Sequence, residues 1–96
     1  MADISIVIPA YNEEDNIADL VKKIESCVAI SHELVLVNDH STDRTPELLA
    51  QLSQNFANVK FVENTGAPGF GNALKAGFNQ AAAELVVPVM ADMCDD

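Results

Sequence analysis

Acidic and polar side chains gather in four short segments, each directly following a run of apolar residues. The segments are Pro9-Ala10-Tyr11-Asn12-Glu13-Glu14, Asn38-Asp39-His40-Ser41-Thr42-Asp43, Asn64-Thr65-Gly66-Ala67-Pro68-Gly69, and Asp92 through Asp96. Three of the four carry carboxylates. Carboxylates crowded at one edge repel one another, so such an edge favours a bound cation. The same residue types also serve turns and helix starts, because an Asp side chain bonds readily to nearby backbone.

Other chemistries lack their residues. No Gly-x-Gly-x-x-Gly follows the first apolar run and no Gly-Lys-Ser/Thr loop occurs, so the dinucleotide and P-loop readings lose their support. Gly69-Phe70-Gly71 precedes a helical pattern but lacks the third glycine, and reads as a turn with a close packing contact. His32 and His40 have no Ser or Cys partner at a recognisable spacing. Cys27 and Cys94 match no metal or redox pattern and read as reduced thiols.

The elements that must position these segments follow from hydrophobic periodicity. Ile4–Ile8, Leu34–Val37, Val59–Val62 and Leu85–Met90 read as strands, near-continuous in Val, Ile and Leu. Between the first two, Asn12 reads as an N-cap and Ile17, Leu20, Val21, Ile24 and Val28 recur at helical spacing. Thr45 and Pro46 open a second helix as N-cap and first residue, with Leu48, Leu49, Leu52 and Phe56 as its apolar positions. Phe70, Ala73, Leu74, Gly77, Phe78 and Ala81 form the stripe of a third. Apolar strands alternating with helices imply a parallel sheet covered on both faces, with right-handed crossovers. In such sheets ligands bind beyond the carboxyl ends of the strands, where the polar segments lie.

Composition narrows the partners. The chain has 96 residues, 49% of them apolar, enough for one small core. Its formal charge of −10, from 15 acidic and 5 basic residues, excludes the basic footprint of nucleic-acid binding and argues against docking on an anionic membrane. No apolar run approaches the ~20 residues of a membrane span, and the acidic opening lacks a signal peptide's basic region. A cytoplasmic setting is expected.

Taken together the segments resemble one family. Ser5 through Glu14 resembles the opening of the family 2 glycosyltransferases, which share the GT-A nucleotide-sugar-binding fold. Their second signature, Val-Asp-Asp-Gly-Ser-Thr-Asp-x-Thr, stands here as Val37-Asn38-Asp39-His40-Ser41-Thr42-Asp43-Arg44-Thr45. Their loose Asn-x-Gly-x-x-x-Ala-x-x-x-Gly pattern resembles Asn64 through Gly77, and their acidic metal motif resembles Met90 through Asp96. Four motifs in the family's order cover almost the whole chain.

The resemblance implies a three-layer α/β/α domain with a four-stranded parallel sheet in the order 3-2-1-4, Rossmann-like, over residues 1–96. It implies an enzyme that moves a sugar from a nucleotide-diphosphate sugar to an acceptor with inversion, the acceptor being lipid-linked or a polysaccharide. Pro9, Ala10, Tyr11 and Asp39 would hold the base of a UDP- or GDP-type donor, an ionised Asp39 accepting the base's imide N–H. Tyr11 would offer its ring or hydroxyl, unless it is buried against the sheet. Glu13 would be an acid at the site's edge, or simply complement the helix dipole. Lys75 would face the diphosphate, or solvent. Asp92 would bind the metal, Mg²⁺ or Mn²⁺, which would neutralise the leaving diphosphate.

The chain departs from the family pattern at three positions. Met90 stands where the metal motif has its first Asp, and Asn38 and His40 replace the usual Asp and Gly of the second signature. The family's acceptor-binding half and catalytic-base carboxylate have no counterpart in these residues, so no catalytic residue is assigned. The chain alone is expected to bind donor nucleotide weakly and transfer no sugar; the parent protein could be membrane-associated. An uncovered fourth strand would favour self-association. The alternative from another class is a non-catalytic, flavodoxin-like module binding a nucleotide or a protein; a nucleotidyltransferase is disfavoured by the missing triphosphate loop after the first strand.

Overall fold

A computed structural model describes residues 2–89; Met90 and Asp92 through Asp96, with the metal-motif expectations that fall on them, lie outside the described residues. The elements alternate: β1 (Ile4–Ala10), α1 (Ile17–Cys27), β2 (His32–Asn38), α2 (Thr45–Asn55), β3 (Val59–Glu63), α3 (Phe70–Gln80) and β4 (Leu85–Pro88). The four strands form one parallel sheet in the order β3-β2-β1-β4, as expected. Ile4 of β1 pairs with His32 of β2 and with Leu85 of β4, and Leu34 of β2 pairs with Val59 of β3.

Strand alternation sorts the core into two layers. Ile6, Ile8, Leu34 and Leu36 pack with Ile17, Leu20 and Val21 of α1 and with Leu49 and Leu52 of α2. Val7, Val35 and Val37 point the other way, onto Ala73 of α3. Ile8, Ile17, Leu34, Leu36 and Leu49 are wholly buried. Each such side chain contributes about 1.5–3 kcal/mol of burial free energy.

On the second face α3 lies so close that a Cβ at Gly77 would stand 2.3 Å from Val7 Cγ1 and 2.9 Å from Val37 Cγ2. That approach corrects the expected apolar stripe. Only small residues fit beneath the helix, so Phe70 and Phe78 are 47% and 43% exposed at its margins. The same face carries a polar stitch. The Ser5 hydroxyl donates to Glu33, Ser5 Oγ accepts the Ala83 N–H at 3.0 Å, and Glu33 Oε2 accepts the Ala82 N–H at 2.6 Å. Lys60 Nζ lies 3.0 Å from Glu33 Oε1 and donates to the Gln80 carbonyl at 3.0 Å. These bonds tie the segment between α3 and β4 to the three other strands.

Element ends differ from expectation for local reasons. β1 runs through Pro9 to Ala10, both paired with β2. Asn12 is not an N-cap: Glu13's carbonyl accepts the N–H groups of Asn16 and Ile17, so the turn starts α1 later. Thr45 is the first residue of α2 rather than its cap, and Asp43 Oδ1 accepts its N–H at 2.9 Å. β4 ends at Pro88.

Candidate functional site

Two loops leave the carboxyl ends of the central strands and are laced together. Asn12, at a φ of 52°, donates its N–H to Ser41 Oγ at 3.0 Å, and its Oδ1 accepts the Thr42 N–H at 2.8 Å. Asn tolerates that left-handed conformation better than most residues. One residue on, the Glu13 N–H donates to Thr45 Oγ1 at 2.8 Å, and that hydroxyl donates to Asp43 Oδ1. The Glu14 N–H reaches Asp43 Oδ2 at 3.4 Å. Desolvation disfavours the charged Asp43 carboxylate, but the hydrogen bonds from Thr45 and Glu14 outweigh it and hold its pKa below the ordinary 3.8. Asp43 thus acts first as a backbone acceptor.

Asp39 sits between the loops, 8% exposed. Its N–H donates to the Ala10 carbonyl at 2.9 Å, extending the β1–β2 pairing by one residue. Its carboxylate is covered by the segment between β3 and α3. Asn64 Nδ2 donates to Asp39 Oδ1 at 3.0 Å, and the Gly69 N–H is shared between Oδ1 and Oδ2, each at 3.2 Å. A carboxylate has about four lone-pair sites. Oδ2 therefore keeps capacity for a further donor. Gly69, at a φ of 135°, occupies a conformation that only glycine adopts without strain.

The two departures in the second signature find their partners here. Asn38 Nδ2 donates to Glu63 Oε1 at 2.7 Å and its Oδ1 accepts the Ser41 N–H at 3.2 Å. An Asp at this position would set a carboxylate against Glu63, whereas the amide supplies the missing donor. His40 takes the positive φ of 58° that the signature's glycine would allow, and its Nε2 donates to the Gly66 carbonyl at 2.8 Å.

Tyr11 is 56% exposed beside this cluster, so the alternative of a ring buried against the sheet is corrected. Pro9 and Ala10 form the end of β1, Ala10 buried. Glu13 Oε1 accepts from Asn16 Nδ2 at 3.3 Å at the start of α1. Lys75 is exposed and lines an open cleft of about 230 Å³ with Asn64, Thr65, Gly66, Asn72, Ala76 and Asn79. Asn64 belongs both to that cleft and to the Asp39 cluster. Among the described residues no three of His, Cys, Asp and Glu stand together as a metal cage, so they do not supply the expected metal site, and Asp92 lies outside them. Sequence reasoning missed the roles of Asn12, Asp43 and Gly69 as positioning groups; the signals were the left-handed tolerance of Asn and Gly and the readiness of an Asp side chain to bond nearby backbone.

A four-stranded parallel sheet in the order 3-2-1-4, with helices on both faces, is the architecture of GT-A glycosyltransferase domains. The chain belongs to Glycosyl transferase family 2, whose sequence profile matches residues 5–96. It is 34% identical over 91 residues to a dolichol-phosphate mannosyltransferase of Pyrococcus furiosus, covering 94% of this chain and 26% of that protein. It is 37% identical over 94 residues to an undecaprenyl-phosphate 4-deoxy-4-formamido-L-arabinose transferase of Edwardsiella ictaluri, covering 94% and 29%. Among solved structures, the mannosyltransferase PcManGT from Pyrobaculum calidifontis, in complex with GDP-Man and Mn²⁺, superposes with a TM-score of 0.83 at 27% identity, covering 94% of this chain and 27% of that one. The chain thus spans less than a third of the length of these relatives.

Proposed function

We propose that the chain carries the donor-nucleotide side of an enzyme that transfers a sugar from a nucleoside-diphosphate sugar to an acceptor, with inversion. The observation that supports it most is Asp39: a carboxylate fixed by two donors of the β3–α3 segment, with Oδ2 still able to accept. The imide N–H of uracil or guanine is the donor that fits it, and Tyr11 stands exposed to take the base's face. Pro9 and Ala10 form the floor, Glu13 the rim, and Lys75 extends the site through Asn64 towards the cleft. In the transfer the bond between the anomeric carbon and the diphosphate oxygen breaks as an acceptor oxygen bonds to that carbon. The nucleoside diphosphate leaves with the electron pair.

No catalytic base is assigned within these residues. Asp92 is carried as the residue that reaches Mg²⁺ or Mn²⁺, supported by the resemblance of 90–96 to the acidic motif and by the Mn²⁺ complex of the similar structure. No step of the reading depends on it. A lipid-phosphate acceptor is supported by the names of two relatives. Among the described residues no helix is long and apolar enough to cross a membrane. A cytoplasmic setting is supported by the free thiol of Cys27.

Calorimetric titration of the protein with UDP, GDP and CDP, with and without Mn²⁺, tests the reading. Binding of UDP or GDP that Asp39→Ala weakens at least tenfold is the expected result. Binding of none of the three by the folded protein overturns it and favours a module that recognises another partner.

A further inference from the structure

The bond between His40 and Gly66 joins two loops that otherwise meet only through Asp39 and its neighbours. The segment from Asn64 to Gly69 is held at three levels. Asn64 folds it on itself, accepting the Gly66 N–H on Oδ1 at 3.1 Å and donating from Nδ2 to the Ala67 carbonyl at 3.0 Å. Its ends are fixed to Asp39 by Asn64 Nδ2 and the Gly69 N–H. Its middle is fixed by the imidazole of His40, whose Nε2 must be the donor because its partner is a carbonyl oxygen.

His40 is exposed and holds a left-handed backbone that a histidine adopts only at a cost. Packing does not account for a bulky residue there, since the side chain is not part of either apolar layer. What it does make is one bond, to the strap that covers the carboxylate.

We infer that His40 is a positioning residue: through Gly66 it holds the 64–69 strap against Asp39 and so fixes the carboxylate in the orientation that accepts a nucleotide base. The inference rests on the proposed function for its ligand. With the strap in place, Oδ1 is taken up by Asn64 and Gly69, and Oδ2 is presented in one direction. Released from His40, the strap loses its central anchor. The Gly69 N–H then leaves Asp39 more often, and the carboxylate samples orientations that a base must reorder on binding. His40 itself need not touch the nucleotide.

The test compares His40→Gly with His40→Gln in the whole protein. Glycine removes the donor and also the cost of the positive φ; glutamine keeps an N–H donor of similar reach. Three quantities are read: thermal stability, amide hydrogen exchange at Gly69, and the Kd for whichever of UDP and GDP binds. In His40→Gly we expect stability unchanged or raised, Gly69 exchange faster, and nucleotide binding weaker by about fivefold, the loss of one net hydrogen bond. In His40→Gln, Gly69 protection and affinity return towards the parent even where stability falls. A merely structural histidine would make affinity follow stability instead. Unchanged Gly69 exchange in His40→Gly overturns the clamp. Faster exchange with unchanged or tighter binding overturns the positioning role and makes the strap an obstacle. A parent protein that binds no nucleotide overturns the proposed function and the affinity half of this inference, while the exchange data still decide the clamp.

Discussion

Asn64 Nδ2 donates to Asp39 Oδ1 at 3.0 Å across two loops that are 25 residues apart in sequence. Both side chains are buried, and the Asn64 side chain has its other bonds within its own turn. Asn64→Ala is therefore expected to weaken nucleotide binding by about tenfold, and Asn64→Asp by more, because a second carboxylate would face Asp39. Isothermal titration of the two variants checks the order; equal affinity for both would deny the Asn64–Asp39 bond any part in binding.

Gly77 carries the contact between α3 and the sheet. In Gly77→Ala the new methyl meets Val7 and Val37, which lie in strands fixed on both sides and have little room to move. Alanine's better helix propensity offsets about 1 kcal/mol. The overlap is expected to outweigh it, leaving a net loss of about 1–3 kcal/mol in urea unfolding. A more stable variant would show that α3 sits further from the sheet.

Glu33 contributes stability that is lost in acid. Burial pushes its pKa up, but hydrogen bonds from Ser5, the Ala82 N–H and Lys60, with the Lys60 charge, more than reverse this and leave it below the ordinary 4.5. A carboxylate lowered on folding stabilises above its unfolded pKa, and that contribution is lost as pH falls through the folded value. Glu33→Ala should cost about 2 kcal/mol at neutral pH by stranding the Ser5 and Ala82 donors. It should also flatten the decline in unfolding free energy below pH 4.5. An unchanged acid limb would assign that decline to other carboxylates.

His32 acts in the opposite direction. Its Nδ1 faces the Ile30 carbonyl at 2.8 Å and its Nε2 faces Glu25 at 2.7 Å, so both nitrogens meet acceptors and the ring is best satisfied when doubly protonated. The Ile30 bond raises its pKa above 6.5, Glu25 adds to this, and partial burial opposes it. Its stabilisation is complete below pH 6.5 and fades as pH rises through the raised folded value. An NMR titration should place the His32 pKa above 6.5, and Glu25→Gln should lower it. No change in that variant would leave the Ile30 carbonyl as the sole cause.

β4 is an edge strand among the described residues, with Leu85 58% and Val87 36% exposed. Unpaired edge groups beside apolar side chains invite another strand. Sedimentation of the 96-residue chain is expected to show self-association that Val87→Lys reduces. A monomer at high concentration would remove that expectation.

The parallel sheet was legible because near-continuous Val, Ile and Leu runs at strand length, separated by helices, read as buried on both faces. Asp39 and Tyr11 were legible through their place after such runs and through the resemblance. The strap over Asp39 was not. Its bonds come from Asn64, Gly69 and His40, residues whose single side chains or amides act across 25 or more positions, and no periodicity records that. The exposed Phe70 and Phe78 were misplaced for a related reason: helical spacing marks a stripe, but Gly77 sets how near that stripe can come to the sheet.

β1 is made first yet lies inside the sheet, and its Ile4 pairs with Leu85 at the far end of the described chain. Pairing with β2 closes a short crossover, whereas pairing with β4 waits for two more crossovers to be synthesised and docked. Closing so long a loop is entropically costly and slow. During synthesis one flank of β1 therefore stays open while β2 and β3 assemble, and of the pairings among the four described strands the β1–β4 junction is completed last. A nascent chain is open to intermolecular pairing in that interval.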